Sequence, residues 1–310
     1  MEIAPAHTGD LSTMGDWKPS SEYQRVAEAN RRFYSQVASL YDASETCVTD
    51  ARMQKQLEAD LDKIIGILGR QPAAIRTLDA CGGSGNVAFK LLARGLDVTL
   101  VDISSKLLDI FSNKCAAAGV VPRSVCSEIG SYMSQSSRKF DLIVFSSALH
   151  HLENIESVLT LAFHCLVPGG LLFTIYDPTS RDRLRVTTRV LQRLEYFTFK
   201  VFCQTQDLPA AFFRRLRRLF SGVSARRKSD VALSQATAGL LAEFHVGRGI
   251  DDLALVSKLR AVGFDVIWHE RYAESRFDLT RRIIERIGDS TSFKLLLHKP
   301  CEVELTSLNP

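Results

Sequence analysis

The chain has 310 residues and a formal net charge of +4, with 45% hydrophobic and 24% charged residues. These values are typical of a globular protein with one domain of about 200 residues and some additional elements. Its apolar runs are far shorter than the about 20 residues that span a bilayer, and we expect no signal peptide. Because its seven cysteines form no C-x-x-C pair, we expect reduced thiols in a cytoplasmic protein, without disulfides or a metal site.

The first part of the chain predicts a tail followed by two amphipathic helices. Residues 1–18 are polar and contain Gly and Pro, so we expect them to be disordered. Helical spacing begins near Ser20, and a second helix is predicted from Met53 to Leu68. Four side chains are expected on one buried face of the first helix: Phe33, Val37, Leu40 and Tyr41.

The stretch from Thr77 to Ser104 predicts a strand, a glycine turn, a helix and a second strand that ends at Asp102. A glycine turn that opens a helix presents free N–H groups and a positive dipole end to a ligand. An acidic residue about 20 positions later is placed to bind ribose hydroxyls. The stretch therefore predicts a site for a nucleoside-containing cofactor.

Two cofactor classes fit this stretch. The sequence from Gly83 to Ala88 satisfies the dinucleotide pattern G-x-G-x-x-A. However, the carboxylate of Asp79 precedes the glycine turn, where it would repel a pyrophosphate and would suit a cationic ligand. The string LDACGGSGN (78–86) resembles motif I of the class I S-adenosylmethionine (SAM)-dependent methyltransferases, with Cys81 where that family usually has glycine. We therefore favour SAM over a dinucleotide.

Three further segments resemble the same family in the same order. The sequence FYSQVASLYD (33–42) resembles the helix that precedes motif I in small-molecule methyltransferases. The sequence SALHHL (147–152) follows a predicted buried strand, Phe140 to Ser146, and resembles the loop at the methyl-transfer site. The sequence LVPGG (166–170) resembles the family's turn before strand five.

The resemblance implies an α/β fold, a Rossmann-like doubly wound sheet of seven strands in which strand seven is antiparallel. It also implies a division of the chain into a tail (1–18), N-terminal helices covering the cofactor site (19–72), a SAM-binding core (73–180), a basic helical lid for the substrate (181–249) and a C-terminal helix and strands that complete the sheet (250–310).

The resemblance also assigns roles to single residues. The cofactor-binding residues it implies are Tyr34, Tyr41, Asp79, Ala80, Cys81, Gly83, Gly85, Asp102, Ile103, Ser127, Glu128, Ser146 and Ser147. Histidine is the natural general base near neutral pH, and the candidates are His150, which we prefer, His151 and His245. Tyr176 and Asp177, at the end of strand five, are the candidates for binding the substrate.

The insertion 181–249 is strongly basic at its start. From Arg181 to Lys228 it contains 13 Lys and Arg residues against three acidic residues. Three interpretations remain open: a lid helix with a solvated basic face, a surface that binds anionic lipid, and a site for an anionic substrate such as a phosphorylated compound or nucleic acid. No recognised RNA-binding module is visible, so nucleic acid is the least favoured partner.

The sequence thus predicts a SAM-dependent methyltransferase that acts on an oxygen, carbon or nitrogen atom of a small or lipid-like molecule. We expect a cytoplasmic protein with peripheral association at an anionic membrane. Two alternatives remain: a SAM-binding partner subunit without catalysis and, less favoured, an NAD(P)-dependent oxidoreductase. The intact glycines and Asp102 argue against a subunit that has lost its site.

Overall fold

The computed structural model describes residues 17–198 and 248–301. Most of the predicted lid, including His245 and the arginine cluster at 214–218, lies outside the described residues. No helix in the described ranges is long and apolar enough to cross a membrane.

Helices alternate with strands along most of the described chain. The helices are α1 (Ser21–Ser44), α2 (Thr46–Thr49), α3 (Ala51–Leu68), α4 (Asn86–Ala93), α5 (Ser105–Ala117), α6 (Ile129–Gln135), α7 (Ile155–Cys165), α8 (Val186–Thr198), α9 (Asp252–Val262) and α10 (Asp278–Arg286). The strands are β1 (Arg76–Ala80), β2 (Asp97–Asp102), β3 (Arg123–Cys126), β4 (Phe140–Ser146), β5 (Leu166–Pro178), β6 (Asp265–Tyr272) and β7 (Ser292–His298).

The strands form one seven-stranded sheet in the order β3-β2-β1-β4-β5-β7-β6. Strands β1 to β5 run parallel to one another, whereas β7 is antiparallel to both β5 and β6. This topology confirms the predicted fold class. The strand order reverses between β1 and β4, and open α/β sheets bind their ligands outside the carboxyl ends of the strands at such a point.

The core lies on both faces of the sheet. The side chains of β4 from Phe140 to Phe145 are buried, as expected of a parallel strand covered on both sides. One hydrophobic cluster joins Phe145 to α7 and α9, and the other joins Val144 to α3 and α4. A rigid sheet therefore supports the residues at the carboxyl ends of its central strands.

The structure departs from the sequence predictions at four points. The predicted turn at LVPGG is part of β5, because Gly169 and Gly170 exchange main-chain hydrogen bonds with Lys299. Helices α2 and α6 were not predicted, since each is short. Leu40 was expected to be buried with the other apolar residues of α1, but it is 66% exposed.

Candidate active site

A tight turn joins β1 to α4 and contains three residues with positive φ. These are Cys81 (φ 56°), Gly83 (φ 55°) and Gly85 (φ 82°). A Cβ atom built on Gly82 would lie 2.7 Å from Oδ2 of Asp79. The turn therefore wraps closely over the Asp79 carboxyl group, and only glycine adopts most of these conformations at low cost.

A cavity with an empty volume of about 660 Å³ lies between this turn and helix α1. Its lining comes from α1, the glycine turn, the end of β2, the start of α6 and the turn after β4. Nine of the residues predicted to bind the cofactor line it: Tyr34, Tyr41, Cys81, Gly83, Asp102, Ile103, Ser127, Glu128 and Ser147. The structure thus brings together residues that are more than 100 positions apart in the sequence.

Asp102 holds the glycine turn in place from the end of β2. Its Oδ2 atom accepts a hydrogen bond from the N–H of Gly83 at 2.8 Å, and its Oδ1 atom accepts one from the N–H of Ser104 at 2.8 Å. Burial raises the pKa of this carboxyl group to about 6, against the opposing effect of these hydrogen bonds. A carboxylate has about four acceptor positions, so Asp102 can also accept hydrogen bonds from a ligand in the cavity.

Asp79 lies beneath the turn and is not among the residues that line the cavity. Its Oδ2 atom accepts a hydrogen bond from the N–H of Ala88 at 2.8 Å and so caps α4, while Oδ1 is buried without a partner in the described residues. Burial, and to a lesser extent the charge of Asp102, raises the pKa of Asp79 to about 7. Asp79 thus supports the turn that forms the cavity wall.

Glu128 lines the cavity at the start of α6. Its two oxygens accept hydrogen bonds from the N–H groups of Gly130 and Ser131, both at 2.8 Å, and so cap α6. The hydroxyl of Tyr23 in α1 donates a hydrogen bond to the same carboxylate. Burial and the adjacent negative charge raise the pKa of Tyr23 above its usual range.

The turn after β4 places its two histidines differently. His151 lines the cavity; its Nε2 atom lies 2.9 Å from the hydroxyl of Tyr34, and its carbonyl accepts a hydrogen bond from Asn30 at 2.9 Å. His150 is buried, with Nδ1 2.9 Å from Oδ1 of Asp177. From the sequence we preferred His150 as the base, whereas the structure places His151 against the cavity.

Helix α1 covers the cavity along its length and contacts both of its ends. The hydroxyl of Tyr41 would lie 3.3 Å from a Cβ atom on Gly83, so the ring packs on the glycine turn. Asp42 accepts a hydrogen bond from Ser84 and pairs with Lys114 at 2.5 Å. These contacts fix α1 over the cavity.

The chain can now be compared with known proteins. Residues 50–224 match the family described as "Methyltransferase domain", which is more than half of the 310 residues. The chain belongs to this family of SAM-dependent methyltransferases. The cofactor of the family is SAM.

Curated relatives of this methyltransferase act on different acceptors. The tRNA 5-carboxymethoxyuridine methyltransferase of Escherichia coli K12 is 31% identical over 128 residues, which are 40% of this chain and 47% of that protein. The ubiquinone/menaquinone biosynthesis C-methyltransferase of Zymomonas mobilis is 25% identical over 159 residues, 51% of this chain and 62% of that protein. The match to these relatives thus spans about half the length of each protein.

Two solved structures share the fold of this methyltransferase. Magnesium protoporphyrin IX methyltransferase from Synechocystis PCC 6803 has a TM-score of 0.54 and 13% identity, covering 88% of this chain and 99% of that chain. The 1,6-didemethyltoxoflavin-N1-methyltransferase of Burkholderia thailandensis has a TM-score of 0.52 and 16% identity, covering 91% and 92%. Both contain bound S-adenosylhomocysteine (SAH).

The residues of the cavity fit SAM. The glycine turn lets a ligand approach the main chain closely, and Asp102 retains acceptor capacity for ribose hydroxyls. Side chains of Tyr34, Tyr41 and His151 face the cavity from the α1 side and the post-β4 side. These groups can enclose a ligand that carries both an apolar base and polar ends.

Other predicted residues do not line this cavity, and their roles stay predictions. These residues are Ala80, Gly85, Ser146, His150, Tyr176 and Asp177. Gly85 caps α4 in the left-handed conformation. The hydroxyl of Tyr176 donates a hydrogen bond to the carbonyl of Met53 at 2.7 Å, which ties β5 to α3.

The sequence did not point to several residues of this region. Tyr23 and Asn30 line the cavity from α1, and their helical spacing identified neither of them. Glu274 follows β6, and its Oε2 atom is buried without a partner in the described residues. Burial raises the pKa of Glu274 to about 7, and the charge of Asp177 adds to this effect. No local pattern marks Glu274, because its neighbours come from distant strands.

Proposed function

We propose that this methyltransferase transfers a methyl group from SAM to an oxygen, carbon or nitrogen atom of a small or lipid-like molecule. The observation that carries this proposal is the cavity between the glycine turn, Asp102 and His151. When bound, SAM supplies a methyl group on a sulfonium, which is already a good leaving group. The protein mainly has to hold the acceptor in line with the bond that breaks.

His151 supports proton transfer from the acceptor. It lies at the carboxyl end of β4 in the cavity wall, and Tyr34 holds its Nε2 side. An imidazole titrates near neutral pH, so it can accept the proton that an acceptor loses on methylation. His150 is buried behind His151, with their ring centroids 3.9 Å apart, and contacts Asp177. In this proposal His151 is the base and His150 positions the turn.

Of the two curated relatives, the quinone-pathway methyltransferase supports a lipid-like acceptor. One relative is named for a quinone pathway and another for a tRNA nucleoside, so related methyltransferase domains serve acceptors of different size. We also propose peripheral contact with an anionic membrane. Arg189 and Arg193 in α8 have no carboxylate within 4.0 Å in the described part of the chain. They share the exposed side of α8 with Val186, Val190 and Leu194, a pattern that suits a lipid interface.

Calorimetry with SAH tests the cofactor site directly. We expect binding in the micromolar range, and we expect Asp102→Ala to weaken it at least tenfold, because charged hydrogen bonds are each worth about 1.5–3 kcal/mol. Asp97→Ala, at the opposite end of β2, is the matched control. Binding of NAD(P) with no binding of SAH at tens of micromolar would contradict the proposal.

Sedimentation with vesicles of phosphatidylglycerol and phosphatidylcholine tests the membrane contact. We expect Arg189→Glu/Arg193→Glu to abolish sedimentation with anionic vesicles and to leave SAH binding intact. Arg260→Glu, an exposed arginine of α9, is the control. Sedimentation that the α8 substitutions leave unchanged would rule out this surface.

A further inference from the structure

Two carboxyl groups beside the cofactor cavity have buried oxygens without a hydrogen-bond partner among residues 17–198 and 248–301. Asp177, at the end of β5, is completely buried. Its Oδ1 atom accepts a hydrogen bond from the N–H of His150 at 3.2 Å and lies 2.9 Å from Nδ1 of the same residue. Its Oδ2 atom has no hydrogen-bond partner in the described ranges. The main-chain groups of His150, Leu149 and Ala148 oppose the effect of burial on the pKa of this carboxyl group. Because buried acceptor atoms are almost always satisfied, Oδ2 can take a donor from a bound molecule.

Glu274 presents the second such oxygen from the end of β6. Its main chain is fixed, since its N–H donates to the hydroxyl of Thr291 at 2.7 Å and its carbonyl accepts from that hydroxyl at 2.8 Å. Burial raises the pKa of its side chain, and the adjacent Ser292 opposes this effect. The Oε2 atom is nevertheless buried and without a partner in the described residues. The carboxyl group is therefore held in one place with one oxygen unsatisfied.

The sheet register brings these two carboxyl groups to the same edge. Ser292 begins β7 between the two strands and pairs with Pro178 of β5 on one side and with Tyr272 of β6 on the other. Asp177 directly precedes Pro178, and the main chain of Glu274 hydrogen-bonds to Thr291, which directly precedes Ser292. The two carboxyl groups are close enough that the charge of Asp177 raises the pKa of Glu274.

A short chain of contacts connects this pair to the cofactor cavity. Asp177 contacts His150, and the ring centroid of His150 lies 3.9 Å from that of His151, which lines the cavity. Thr291, which holds the main chain of Glu274, accepts a hydrogen bond at its carbonyl from the N–H of Thr179 at 3.0 Å, two residues after Asp177. The carboxyl pair is thus beside the post-β4 turn, on the side of the cavity where β5 and β6 end.

No Lys or Arg among the described residues lies within 4.0 Å of either carboxyl group. Arg52 acts on Glu274 only as a more distant charge that lowers its pKa. Burial raises the pKa of each group to about 7, because it disfavours the charged form. A ligand that donates at least two hydrogen bonds, and that carries positive charge, would satisfy both oxygens.

We propose that Asp177 and Glu274 together bind the methyl acceptor through an amino group, so that the acceptor is an amine. This proposal rests on the methyltransferase function proposed above and narrows its acceptor class. An amine loses one proton when its nitrogen takes the methyl group, and the lone pair left by that proton forms the new N–C bond. The sulfonium becomes a neutral thioether, and the carboxylates or His151 accept the proton.

Saturation-transfer NMR with small fragments tests the proposal, with and without SAH. The probes are benzylamine, benzyl alcohol and benzoate at pH 7.5. We expect benzylamine to bind in preference to benzyl alcohol and benzoate to show no binding. Glu274→Gln and Asp177→Asn should each weaken benzylamine binding at least tenfold, and the exposed Glu285→Gln should leave it unchanged.

Measurements of SAH binding distinguish a failure of the amine-binding proposal from a failure of the proposed methyltransferase function. SAH affinity should stay within threefold of the wild type in Glu274→Gln, since this residue does not line the cofactor cavity. Should Asp177→Asn fail to fold, Glu274→Gln alone carries the test. Two results would overturn the proposal: benzylamine binding that survives Glu274→Gln, or benzoate binding as tight as that of benzylamine. Either result would indicate that the carboxyl groups of Asp177 and Glu274 share a proton with each other. Absence of SAH binding to the wild type would instead overturn the methyltransferase function.

Discussion

The hydroxyl of Tyr34 lies 2.9 Å from Nε2 of His151, and this contact joins α1 to the turn after β4 across the cavity. Tyr34→Phe removes the contact and keeps the ring. We expect SAH affinity to fall by roughly threefold to tenfold, because one hydrogen bond contributes about 1 kcal/mol and α1 closes the cavity less firmly. Calorimetry gives the affinity, and Tyr132→Phe, which lies outside the cavity lining, is the control. Equal SAH affinities of the two variants would show that Tyr34 does not hold α1 over the cavity.

Alanine substitutions at Gly85 and Gly119 distinguish two ways in which an added side chain destabilises the fold, namely backbone strain and overpacking. Both have positive φ, 82° and 70°, but a Cβ atom on Gly85 would lie 2.1 Å from the ring of Phe111, whereas one on Gly119 would meet nothing within 4 Å. We expect Gly119→Ala to cost about 1–2 kcal/mol of unfolding free energy through backbone strain alone. Gly85→Ala should cost a further amount of roughly 1–3 kcal/mol through overpacking. Urea denaturation measures the unfolding free energy of both variants. Equal losses would show that contact with the ring of Phe111 adds no cost in Gly85→Ala.

The glycine turn and Asp102 could be predicted from sequence because their signals are local. A strand, three glycines and an acidic residue 20 positions later lie within one short stretch, and the structure brings Asp102 to the N–H of Gly83. The apolar residues of β4 also form one continuous run, and this strand matches its predicted bounds.

The choice between His150 and His151 could not be predicted in this way. Their orientation depends on Asp177, 27 residues later in the sequence, which holds His150 away from the cavity. Glu274 was even harder to predict from the sequence, because its surroundings come from β5, β7 and helix α2. Side chains whose setting comes from several distant elements leave no periodic or motif signal.

Glu274→Gln should change how stability depends on pH. The pKa of Glu274 is raised to about 7 in the folded protein, mainly by burial, against about 4.3 in an unfolded chain. Between about pH 4 and pH 7 the unfolded state releases this proton and the folded state keeps it, so wild-type stability falls as pH rises. Besides burial, the groups that act on the pKa of Glu274 are Ser292, Asp177, Arg52 and Asp50.

The Glu274→Gln variant does not lose stability in this way. We therefore expect its unfolding free energy to exceed that of the wild type by roughly 1–3 kcal/mol at pH 8 and to equal it near pH 4. Urea denaturation from pH 4 to pH 8 measures the difference, with the exposed Glu22→Gln as control. A constant difference across this range would show that Glu274 ionises normally in the folded protein.

Lys294 of β7 and Asp60 of α3 form a buried ion pair at 2.9 Å that ties the helix layer to the sheet. Their side chains are only 6% and 1% exposed, so removing one partner leaves an uncompensated charge in the core. We expect Lys294→Met to lower the unfolding free energy by about 3–5 kcal/mol. The double variant Asp60→Leu/Lys294→Met should recover most of this loss, because an apolar pair of similar volume replaces both charges. A double-mutant cycle by urea denaturation measures the coupling, and additive losses would show that the pair does not act as a unit.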